Sequence, residues 1–129
     1  MMPTAPCAEP APPLLRAGVE QFNRGEFFEQ HETLEALWRA ERRPVRRLYQ
    51  GVLQIGVAFH HLRRRNHHGV VVMIDRGIAA LRPFAPSCQS VDVAGLIAEA
   101  ERARRAVVRL GPDRLDEFDW SLAPRVRLI

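Results

Sequence analysis

The stretch Gly25 to Trp38, GEFFEQHETLEALW, sets a base and a carboxylate four residues apart. On a helix turning about 100° per residue, His31 and Glu35 share a face with Phe27, Leu34 and Trp38, with Phe28 at the flank. An imidazole and a carboxylate at that spacing project in one direction and can hold a single divalent ion between them. Two donors do not complete a zinc, manganese or iron site, because zinc takes about four ligands and catalytic iron or manganese sites add further imidazoles or carboxylates. The expected third donor is His61, with Glu32 as the alternative and Gln54 as an orienting group or weak ligand. In a hydrolytic mechanism His31 and His61 would bind the ion, and Glu35 would bind it too or serve as general base for a metal-bound water. HETLE lacks the second histidine of the HExxH metalloprotease pattern.

A simpler alternative assigns the same pair a packing role: Glu35 fixes the His31 tautomer inside the core and Gln54 completes the network, in a helical interaction module without catalysis. Glu35 can also pair with Arg39, and Glu32 sits nearer the solvated flank. A third reading draws on Arg63, Arg64, Arg65, Asn66, His67 and His68, a basic corner that could contact phosphate or, through His68, assist phosphodiester cleavage. That reading ranks last. The 19 basic residues are all arginine, the net charge is +4, and the positive charge is spread over several helices without interleaved aromatics, so any nucleic-acid binding should be weak and non-specific.

The elements that must position these groups are helical. Residues 1–13 carry five of the ten prolines and read as a flexible arm. Leu15, Val19 and Phe22 recur at helical spacing, and Gly25 stops that first helix. The second helix, which holds His31 and Glu35, ends near Arg42 before Pro44. The third, Val45 to Arg65, is apolar on several sides and is expected to be central. Arg47, Gln54 and His61 form its polar stripe, with Gln50 beside it, and the small Gly51 and Ala58 mark a place for close helix packing. His60 and His61 point about 100° apart, so one of them at most serves a given site.

A fourth helix runs from His67, capped by Asn66, to Arg82. A fifth runs from an Asp92 cap to Gly111. Residues 112–129 lack a helical stripe and read as an extended strap on the bundle. The fold class is therefore all-α: a compact bundle of about five helices over residues 14–111. Cys7 and Cys88 show neither a metal-ligand spacing nor a disulfide framework and receive no role. No apolar run spans a membrane, the first residues lack a signal-peptide pattern, and a cytoplasmic location is the default. Partners are not specified, and a homo-oligomer is compatible with the composition.

With these residues in view, FFEQHETLEALW followed by LYQGVLQIGVAFHHLRRRNHHG resembles domain-of-unknown-function family 309. These are small helical proteins marked by a histidine, three residues, a glutamate and then an aromatic. The resemblance covers roughly residues 14 to 83. His31, Glu35 and Trp38 match the motif, and Gln50, Gln54, His61, Asn66 and Gly69 fit the pattern that follows. It implies a helical fold and a metal-binding role for the motif.

Overall fold

The computed structural model describes residues 4–129. Among these residues the chain is all-α, with six α-helices: α1 Thr4–Ala8, α2 Pro13–Asn23, α3 Phe27–Ala40, α4 Arg46–Arg63, α5 His67–Leu81 and α6 Val93–Leu110. The five longer ones are those the periodicity predicts. α4 lies between α3 and α5, α2 packs on α3, and α6 packs on α5. Leu48, Tyr49, Val52, Ile55, Ala58 and Phe59 of α4 are fully buried, which makes it the central helix expected from its apolar character.

Local chemistry explains the helix ends. Pro13 sits at the start of α2, where its missing N–H costs nothing. Gly25, at φ +78°, takes the left-handed conformation that reverses the chain into α3. Phe22 and Phe27 then meet edge to face across the turn, with ring centroids 5.6 Å apart. At the other end of α3, Arg46 stacks 4.1 Å over the Trp38 ring and donates to the Trp38 carbonyl, which has no intrahelical partner there. Asn66 accepts from Gly69 N at 2.9 Å and Asp92 from Gly95 N at 2.9 Å, so both expected caps form.

α4 and α5 approach closely at Gly51 and Gly77. A Cβ on Gly51 would lie 3.2 Å from the Gly77 carbonyl oxygen, and one on Gly77 3.1 Å from that of Gly51. The packing place expected at Gly51 is therefore occupied by α5, and this contact fixes how α4 is rotated.

The two cysteines left without a role form a disulfide. Cys7 on α1 is bonded to Cys88, 81 residues away. The proline-rich stretch was expected to be a free arm. Its Thr4–Ala8 segment is instead a helix tethered through Cys7 to the loop after α5, while residues 1–3 lie outside the described part. Sequence spacing cannot reveal this pairing, because it depends on the α5–α6 loop returning to the amino-terminal segment. That loop is a short hairpin, β1 Ser87–Cys88 against β2 Val91–Asp92. Gln89 and Ser90 take positive φ at its tip. Gln89 is fully buried and accepts the Tyr49 hydroxyl at 2.7 Å, while its backbone N–H donates to the Cys7 carbonyl at 2.8 Å.

The tail straps the bundle as expected, with two 3-10 turns, Pro112–Glu117 and Trp120–Leu122, along its course. Leu115, Phe118 and Val126 are buried. Asn23 anchors it by accepting from Val126 N at 2.9 Å and donating to Val126 O at 2.8 Å. No helix among the described residues is long and apolar enough to cross a membrane.

Candidate functional site

The face that α3 buries is Phe27, Gln30 and Leu34. Gln30 is a polar residue that sequence reasoning did not single out. It is fully buried, and its amide donates to the carbonyls of Phe27 and Leu53, both at 3.2 Å, tying α3 to α4. With Gln30 in the interface, the helix is rotated so that His31 and Glu35 stand at its edge. The pair is not in the core. Its side chains are 39% and 31% exposed, and His31 Nε2 lies 3.0 Å from Glu35 Oε2. Arg39, one turn further, pairs with the other carboxylate oxygen. Glu35 thus has both oxygens engaged along one helical stripe, and the packing network expected with Gln54 does not form among the described residues.

Beside this stripe lies a pocket of about 560 Å³ between α3, α4 and α5. Phe27, Phe28 and Trp38 come from α3, Leu53 and Val57 from α4 and Met73 from α5. His31, Glu35, Gln50, Gln54 and His60 add polar groups. The Arg46 stack holds Trp38 in place as one wall. Phe28 is 54% exposed and faces His60, with ring centroids 6.1 Å apart. A largely apolar cavity of this size with a few convergent polar groups has the build of a small-molecule site.

The expected site residues fall in three places. His31, Glu35, Trp38, Gln50 and Gln54 are brought together in the pocket. Glu32 faces a second, shallower cleft of about 360 Å³ that it shares with Phe28, His31, Glu35, Ala36 and Arg39. His61 and Asn66 lie elsewhere: Asn66 caps α5, and its Nδ2 is 3.4 Å from His61 Nδ1. Burial, reinforced by the charges of His60 and Arg64, holds the His61 imidazole below its ordinary pKa of 6.5.

His60, not His61, lines the pocket. Gln50, Gln54, Val57 and His60 are spaced by four, three and three residues, a helical stripe that could have revealed it. The rival stripe through Arg47, Gln54 and His61 shares Gln54 and is equally regular, so periodicity could not choose between them. Met73 also goes unsignalled, because it is one of many apolar residues on α5.

Among the described residues, no group of three or more His, Cys, Asp or Glu stands close enough to hold one metal ion. His31 Nε2 and Glu35 Oε2, 3.0 Å apart, would supply at most two cis donors to an octahedral ion. The rest of the coordination would have to come from other groups.

No curated protein and no solved structure matches the chain. A family model does: that of the domain of unknown function DUF309, over residues 15–73. The match runs from α2 into α5 and takes in the His31–Glu35 stripe together with every residue that lines the pocket. Residues 15–73 of this chain, under half of its length, are similar to this domain of unknown function.

Proposed function

We propose that the pocket between α3 and α4 binds a small, mostly apolar organic molecule and holds its polar end against the His31–Glu35 pair, with the imidazole acting as a general base. One observation carries this reading: an imidazole nitrogen and a carboxylate oxygen 3.0 Å apart stand at the edge of an otherwise apolar cavity of about 560 Å³. With its proton on Nε2, the nitrogen nearer Glu35, the His31 imidazole would keep the Nδ1 lone pair to take a proton from a bound ligand, and the adjacent carboxylate would stabilise the imidazolium that forms. Arg39 keeps Glu35 oriented. Gln50 and Gln54 supply hydrogen bonds for orientation.

The test is a fragment screen by NMR on tag-free protein. Ligands should shift the signals of Trp38, Val57 and Met73 together. Val57→Trp, which fills the cavity without touching the pair, should abolish those shifts while the protein stays folded. Hits that spare these residues, or that bind Val57→Trp equally well, would refute the reading.

A second reading is favoured by the 3.0 Å separation of His31 Nε2 and Glu35 Oε2, the spacing of two cis donors on an octahedral manganese or iron ion and somewhat short of the roughly 3.3 Å between donors on tetrahedral zinc. His60 or an oxygen of the bound molecule would then be the nearest further donor, in place of His61. An ion that binds only the native state raises its melting temperature. Elemental analysis of untagged protein, with melting curves at added zinc, manganese and iron(II), tests it. No bound metal and no shift with any of the three would count against it.

A further inference from the structure

The cleft between the α2–α3 turn, the end of α4 and the tail differs in character from the pocket above. It has a volume of about 360 Å³, and Arg24, Arg63 and Arg125 line it together with Gly25, Trp120 and Ser121. Among the described residues no carboxylate lines it. The nearby acids are already engaged, three of them with residues at its rim. Glu20 and Glu26 pair with Arg24, Asp119 accepts from the Ser121 amide and hydroxyl, and Glu99 pairs with Arg127.

Arg63 has no carboxylate partner among the described residues. Its guanidinium donates to the Gly25 carbonyl and lies between two rings, 4.7 Å from the centre of Phe27 and 5.5 Å from that of Trp120. The Arg125 backbone N–H donates to Glu99, and its guanidinium makes no ion pair among the described residues. Two uncompensated guanidinium groups therefore share a cleft with an indole that is 42% exposed. The linear chain conceals this, because Arg63 and Trp120 are 57 positions apart and only the strap brings the aromatic to the cation.

We infer that this cleft binds a nucleoside monophosphate group, with Arg63 and Arg125 on the phosphate and the Trp120 indole against the base. Two arginines match the charge of a phosphate monoester, which carries about −1.5 to −2 at neutral pH. The guanidinium fork suits its oxygens. An exposed indole beside arginine is a sequence-tolerant platform for a base. The same chemistry is presented by a free nucleotide and by the phosphorylated 5′ end of an RNA strand.

The experiment is calorimetric titration of the full disulfide-bonded chain with AMP at low ionic strength, with inorganic phosphate as competitor. Saturable binding is expected, displaced by phosphate and weakened at least tenfold by Arg125→Ala and by Trp120→Leu. Arg102→Ala, on the exposed face of α6 away from the cleft, should bind as the parent does. Arg63 is left intact because it also ties the turn. A 5′-phosphorylated RNA oligomer that binds more tightly than AMP, and more tightly than its 5′-hydroxyl counterpart, would assign the site to strand ends. Equal or weaker binding of the oligomer would assign it to free nucleotides. The inference falls if the folded protein shows no saturable AMP binding at millimolar concentration, if both cleft variants bind as the parent does, or if Arg102→Ala loses as much affinity as they do.

Discussion

His31 Nε2 stands 3.0 Å from Glu35 Oε2 on the wall of a pocket, in partial contact with solvent. A solvated pair of this kind contributes only about 0.2 to 1 kcal/mol, because water screens the attraction and the side chains lose freedom in making it. His31→Leu and Glu35→Leu should therefore each change metal-free stability by no more than about 1 kcal/mol. The double leucine variant should unfold in urea at or above the parent's midpoint, since two apolar side chains would extend an apolar wall. A double variant less stable than both singles would show that the pair is a net source of folding energy.

Gly77 should tolerate no side chain. A Cβ there would meet Ile55 Cδ1 at 2.6 Å and the Gly51 carbonyl at 3.1 Å, and a backbone atom in a central helix cannot move aside cheaply. Gly77→Ala is expected to cost about 1 to 3 kcal/mol by forcing α4 and α5 apart. Denaturant unfolding checks it, and a variant as stable as the parent would mean that the interface yields.

The Cys7–Cys88 bond closes a long loop, with a sequence separation of 81 residues. In the chain-entropy account such a link stabilises by up to about 4 kcal/mol, less where the released end is short and loosely held. Melting with and without reductant should show a drop in Tm on reduction, and Cys7→Ser should melt like the reduced parent. An identical Tm in both states would mean that the bond carries no stability. Disulfides persist in oxidising compartments. Thiol labelling of protein taken directly from its cells therefore also tests the default cytoplasmic location, where the bond should be open.

His61 provides a pH-dependent contribution whose sign follows from its surroundings. Burial first, then the charges of His60 and Arg64, favour the neutral imidazole in the fold and hold its pKa below 6.5. Its contribution is complete above the unfolded value near 6.5 and is lost as pH falls through the lower folded value. An NMR titration of the His61 ring should give a midpoint below 6.5 in native protein that rises on unfolding in urea. A native midpoint at or above 6.5 would contradict this assignment of its surroundings.

Sequence by itself determined the five longer helices and most of their ends, because these depend on residues close in the chain. The apolar period marks α2 to α6. Gly25 and Gly111 stop helices through backbone freedom, and Asn66 and Asp92 cap them through side-chain oxygens three residues from their targets. The His31–Glu35 contact was legible for the same reason, as one turn of helix separates them.

Tertiary structure decided how those helices are rotated against one another. α4 is apolar on several sides, so its own period does not say which polar stripe faces α3. The contact of Gly51 with Gly77 and the burial of Gln30 settle that rotation, and they put His60 in the pocket in place of His61. The same limit explains the Cys7–Cys88 bond and the Arg63–Trp120 stack. Each joins residues whose separation in sequence carries no geometric information, and each exists only because the packed core returns distant segments to the same place.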